Sequence, residues 1–129
     1  MKIASLLLFF VLGAVALPAA AQSVAEQQDA IVIENLRSAG SDITKPHSID
    51  FFLYFPRKGQ AKAAATEILE LGYTVVELDK SPERSEWSVH ATRTLVPELE
   101  TMKASTRELE KLATEHGGAY DGWGTSIVK

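Results

Sequence analysis

The sequence predicts an α+β fold of the ferredoxin-like kind, a split βαβ unit (βαββαβ) with a four-stranded antiparallel sheet and an extra helix in front of it. The first observation is residues 49–55, Ile-Asp-Phe-Phe-Leu-Tyr-Phe, which carry four aromatics and one charge at strand length and close at Pro56. The second is the order of periodicities downstream: helical, extended, extended, helical, extended. The third is the clean alternation of residues 86–93, where Trp87, Val89 and Ala91 face one way and Ser88, His90 and Thr92 the other. That pattern marks a half-buried antiparallel strand.

The chain begins with Met1-Lys2, an apolar run over residues 3–17 and the exit Pro18-Ala19-Ala20-Ala21. This is the make-up of a secretory signal peptide cleaved after Ala21. The run is shorter than the roughly eighteen apolar residues of a spanning helix, which favours a leader over a retained anchor. With no cysteine in the chain, no lipid-modified cysteine can sit at the cut. The expected product is exported, periplasmic or secreted, with no membrane anchor. Its division is 1–21 signal peptide, 22–48 leading helix and linker, and 49–129 ferredoxin-like domain. Past Ala21, 12 basic residues face 17 acidic ones. That balance argues against a nucleic-acid surface, whose affinity comes from Lys and Arg neutralising phosphates. A chain without cysteine must hold its core without disulfides.

Residues 23–39 read as a helix: Ser23 caps it with Glu26 three positions on, Val24, Ile31, Ile33 and Leu36 supply apolar surface, and Gly40 stops it. Pro46 makes residues 41–47 a connection. In the first strand, Ile49, Phe51, Leu53 and Phe55 share one face and Asp50, Phe52 and Tyr54 the other. Residues 60–71 form an alanine-rich helix with Ala61, Ala64, Ala65 and Ile68 on its stripe, closed at Gly72. Residues 73–78 are the second strand, with Tyr73 and Val75 opposite Val76 and Leu78, and residues 79–85 a hairpin loop around Pro82. The longest helix starts within residues 94–97 and runs past Met102, Leu109 and Leu112 to Gly117-Gly118. Residues 119–128 are a last strand interrupted at Gly122 and Gly124. Right-handed crossovers put the first and third strands in the centre and the second and fourth at the edges. The sheet face away from the crossover helices would then hold Phe52, Tyr54, Val76 and Leu78, and the leading helix is its expected cover.

Catalytic groups do not assemble from this sequence. His47, His90 and His116 include no short-range ligand pair, and there is no cysteine for a structural zinc site. No Gly-x-Ser-x-Gly elbow is present, and Gly122-Trp123-Gly124 lacks the lysine of a phosphate loop. The carboxylate pairs Glu67/Glu70, Glu98/Glu100 and Glu108/Glu110 suit solvated helix faces. We therefore expect no catalytic residue, no metal and no cofactor. One stretch asks for more: Tyr120, Asp121, Gly122, Trp123 and Gly124 place two large aromatics, an aspartate and two glycines in a strand. It is either a partner-binding motif or a structural one. In the structural reading, alternation sends Tyr120 and Trp123 to opposite faces only if a bulge intervenes at Gly122, Trp123 closes one end of the core and Asp121 bonds turn backbone.

Tyr120-Asp121-Gly122-Trp123-Gly124-Thr125, with Glu115-His116-Gly117-Gly118 before it, Ala-Ala-Thr-Glu-Ile-Leu-Glu-Leu-Gly-Tyr-Thr-Val over residues 64–75 and the 49–55 strand, resembles the regulator of ribonuclease activity B family, the ribonuclease E inhibitor proteins. The resemblance covers residues 49–125. It implies a small ferredoxin-like domain without catalytic activity that binds the noncatalytic part of ribonuclease E and alters RNA decay. Combined with the leader, it gives a non-enzymatic protein-binding module acting on an envelope or extracellular partner. The alternatives are an exported small-ligand sensor, by fold analogy, or cytoplasmic regulation of ribonuclease E if residues 1–21 are not an export signal.

Overall fold

The computed structural model describes residues 22–83 and 85–129; the expected leader lies outside them. Its elements are α1 (Val24–Ser38), β1 (His47–Phe55), α2 (Lys58–Glu70), β2 (Thr74–Lys80), β3 (Trp87–Leu95), α3 (Leu99–Glu115) and β4 (Ala119–Gly124). The sheet is four-stranded and antiparallel in the order β2-β3-β1-β4, which is the ferredoxin-like arrangement with β1 and β3 central. Among the described residues no helix is long and apolar enough to cross a membrane.

The core forms where β1 meets the helices. Ile49, Phe51, Leu53 and Phe55 are fully buried, together with Ala61, Ala64 and Ile68 of α2, Val89 and Ala91 of β3, and Met102, Leu109 and Leu112 of α3. The small side chains of α2 let its backbone approach the sheet, while the large ones of β1 fill the space between. Tyr73, just before β2, sets its ring edge-on to Phe51 with centroids 5.2 Å apart, and its hydroxyl donates to Glu108 Oε1 at 2.9 Å.

Two assignments of faces change. The leading helix does not cover the far side of the sheet: α1 packs on α3 and β4, and its Ile33 and Leu36 join the same core as β1. The reason is that its buried stripe is Glu26, Asp29, Ile33 and Leu36, while Val24 and Ile31 stay exposed. Acids on that stripe need hydrogen-bond donors, and α3 and β4 supply them. The second change is in β2, where a bulge between Val75 and Glu77 moves Leu78 back to the helix side opposite Val89 and leaves Val76 exposed. The far face thus carries less apolar surface than simple alternation gives it. Phe52 stacks on His90 there with centroids 4.9 Å apart, and His90 Nε2 lies 2.7 Å from Asp50 Oδ1.

Element ends shift as well. β1 begins at His47, because that ring is buried between Ser41 Oγ at 2.7 Å and the Lys45 carbonyl at 2.8 Å. β3 runs on to Leu95, so α3 starts later than expected, at Leu99. β4 stops at Gly124, since the segment beyond it turns to the 41–45 connection: the Val128 N–H donates to Ser41 Oγ at 2.9 Å and the Asp42 N–H to the Val128 carbonyl at 2.6 Å.

Candidate functional site

The α1 face toward α3 and β4 is built from polar groups at helical spacing. Ser23 Oγ accepts the Glu26 N–H at 3.1 Å, capping the helix, and donates to Glu110 Oε1 at 2.6 Å. One turn on, Arg107 Nε donates to the buried Glu26 carboxylate at 3.0 Å. One further turn brings Asp29, 1% exposed, whose Oδ1 accepts both Thr106 Oγ1 at 2.9 Å and Trp123 Nε1 at 2.8 Å. Three successive ties therefore fasten α1 to α3, and the third also holds β4.

Asp29 is only half satisfied. Both donors go to Oδ1, and among the described residues the buried Oδ2 has no hydrogen-bond partner, nor has the Tyr120 hydroxyl. Burial raises the Asp29 pKa above its ordinary value, against the lowering pull of the Trp123 and Thr106 hydrogen bonds, with Glu26 and Glu110 adding repulsion. Burial likewise holds the Tyr120 phenol far above its usual range. Beside these groups lies a cavity of about 420 Å³, walled by α1, α3 and β4, with Asp29, Glu110, Tyr120, Asp121 and Trp123 in its lining.

The β4 motif supplies one wall. Phe51 pairs with Trp123 and Leu53 with Tyr120, so Asp121 and Gly122 together stand opposite Phe52. The bulge falls at Gly122, whose φ of +101° is a conformation that glycine adopts without penalty. Its effect is opposite to the expected one: Tyr120 and Trp123 are three positions apart, so plain alternation already separates them, and the bulge brings both rings to the helix side. Trp123 belongs to the core cluster, at 9% exposure. Among the described residues Asp121 bonds no turn backbone; it is exposed at the cavity rim. Gly124 ends the strand opposite Asp50. The five residues of the motif thus stay together, with Trp123 in the core and Tyr120, Asp121 and Gly122 at the cavity.

The histidines lie apart. His47 sits between Ser41 and Lys45, His90 beside Asp50, and His116 Nε2 is 2.8 Å from Glu67 Oε1, joining the end of α3 to α2. Asp29 escaped the sequence reading because its donors are 77 and 94 positions away. The available signal was the 26, 29, 33, 36 spacing, which marks a buried stripe even where two members are acids.

The profile of the family described as Regulator of ribonuclease activity B matches residues 26–125, from the first turn of α1 to the end of β4. Two curated proteins of that name are similar to this chain. The one from Proteus mirabilis is 30% identical over 110 residues, spanning 81% of this chain and 76% of its own. The one from Actinobacillus succinogenes is 28% identical over 97 residues, spanning 73% and 68%.

Proposed function

We propose that this chain, which belongs to the regulator of ribonuclease activity B family of non-enzymatic regulators, restrains a ribonuclease by binding it as a protein, without chemistry of its own. The observation that carries this reading is the length of the match, which takes in α1, the whole sheet and the Tyr120–Trp123 motif. By the resemblance, the partner is ribonuclease E, engaged through its noncatalytic part. The test is cleavage of a fluorescent RNA by purified ribonuclease E, with and without that noncatalytic part. This chain should slow the full enzyme and leave the truncated one unaffected. Equal slowing of both, or no association at about 10 μM, where a standard protein interface is mostly formed, overturns the reading.

A second reading has its own support in residues 1–21, whose charged start, apolar run and Ala-Ala-Ala exit are those of an export leader. In it the same binding domain is periplasmic or secreted and acts on an envelope or extracellular protein. Cell fractionation with N-terminal sequencing separates the two. A periplasmic chain beginning at Gln22 establishes the exported form, and a chain retained inside the cell with residues 1–21 intact leaves ribonuclease E as the partner.

A further inference from the structure

The Asp29 cavity has a composition that selects for charge. Among the described residues its lining holds three carboxylates, from Asp29, Glu110 and Asp121, with the aromatic rings of Tyr120 and Trp123 beside them and no lysine, arginine or histidine. An acidic cluster alone would be a solvated surface. Here one of the carboxylates is 1% exposed and keeps an oxygen without a donor. Buried polar atoms are nearly always hydrogen-bonded, and each exception asks for a missing partner. The two donors that the fold supplies, Thr106 and Trp123, are both spent on Oδ1. That oxygen is thereby left to a group that enters the cavity, which at about 420 Å³ falls within the volume range of ligand pockets, roughly 300–1,000 Å³.

We infer that this cavity is a receptor for a guanidinium group, the side chain of an arginine presented by the protein partner. A guanidinium is planar, weakly hydrated, always charged and rich in donors, so it can stack against an aromatic ring while it bonds carboxylates. An ammonium offers the charge without the plane. Glu110 already accepts from Ser23 through one oxygen and has a second for the incoming group, and Asp121 stands exposed at the rim where a side chain would enter. The inference rests on the reading of this chain as a protein-binding regulator and names the chemistry that its partner would present.

The chain has two tryptophans, Trp87 on β3 and Trp123 in the cavity wall, so their indole N–H signals give an internal control. The full chain is titrated with N-acetyl-arginine amide, with the neutral citrulline analogue and with butylammonium. The arginine probe should move the Trp123 signal and leave Trp87 still, and citrulline and butylammonium should bind at least tenfold more weakly. The double variant Glu110→Gln, Asp121→Asn should keep the melting temperature, since an amide oxygen at position 110 can still accept from Ser23 and Asp121 is exposed, and it should weaken the arginine probe at least tenfold. No movement of Trp123 at about 20 mM, above the millimolar range expected of a single such contact, overturns the inference. So does equal movement by citrulline, or tighter binding of butylammonium. If the arginine probe fails while ribonuclease E still binds, only this inference falls. If ribonuclease E fails while the arginine probe binds as described, the cavity stands and the family reading falls.

Discussion

Replacing Asp29 by asparagine removes a charge and keeps the shape. The amide oxygen can take the place of Oδ1, accepting Trp123 Nε1 and Thr106 Oγ1, and the amide nitrogen then occupies the position of the unpartnered Oδ2. Burial raises the Asp29 pKa above its ordinary 3.8, so the folded chain keeps the proton over a pH range in which the unfolded chain has released it. The contribution of this carboxyl to stability is therefore complete below about pH 3.8 and is lost as pH rises through the folded value. Once ionised, the folded wild type carries the cost of a buried charged oxygen without a donor, about 1–3 kcal/mol, whereas asparagine carries only a neutral amide. Urea denaturation at a series of pH values from about 4.5 to 7.5 should show the wild type losing stability relative to Asp29→Asn as pH rises, until its carboxyl is ionised in the folded chain. At pH 7.5 the variant should equal or exceed the wild type. A variant that is less stable by more than about 2 kcal/mol at pH 7.5, with the gap closing as pH falls, would mean that the two hydrogen bonds to the ionised form outweigh its desolvation.

Trp123→Ala removes a side chain that is 9% exposed and deprives Asp29 of a donor; the expected loss is about 3–5 kcal/mol, which lowers the melting temperature by more than about 10 °C in a calorimetric scan. Gly118→Ala should be destabilising by about 1–3 kcal/mol, because a Cβ there meets the Phe55 ring and the Tyr54 carbonyl. Gly59→Ala, in the first turn of α2 with open space around it, should stabilise by about 0.5–1 kcal/mol, and the two alanines compared in one denaturation series report the close approach at Gly118.

The parts of the fold that were legible in the sequence are those decided by local repetition. The 49–55 strand announces itself by its composition, and the alternation of Trp87, Val89 and Ala91 reappears on the helix side, with Val89 and Ala91 buried and Trp87 partly buried against the core. The order of elements then fixes the sheet order without knowledge of a single long-range contact. The candidate site obeys a different logic. Asp29 looks like a solvent-facing acid because its neighbours Gln27, Gln28 and Ala30 are exposed, and its reason for burial lies in Thr106 and Trp123. Docking of α1 on α3 follows from those polar ties together with Ile33 and Leu36, whereas the conspicuous Val24 and Ile31 make no part of the core. Apolar content pointed to the wrong face, and the spacing of the acids pointed to the right one.

Both misassigned strand faces trace to bulges, and only one of them is visible in the sequence. Val76 sits at the β2 irregularity with nothing in its chemistry to announce it, while a glycine at position 122 inside a strand marks the β4 bulge, where the structure gives it a positive φ. A one-residue slip at Gly122 would carry Trp123 to the far face and remove both its core contacts and its bond to Asp29, so the conformation of one glycine holds the cavity wall in place. This can be measured against a neighbour. A Cβ at Gly122 or at Gly124 meets no atom within 4 Å, so neither alanine creates a clash, and only Gly122 has φ in the positive region, at +101°. Gly122→Ala should therefore lose about 1–3 kcal/mol from backbone strain alone, and Gly124→Ala should stay within about 0.5 kcal/mol of the wild type. In the strained variant the Trp123 indole N–H should also exchange with solvent faster, since its register against Phe51 is what keeps it on Asp29. Equal stability of the two alanine variants, with the indole still protected in both, would show that β4 reaches this register without the bulge and that Trp123 is held by its packing alone.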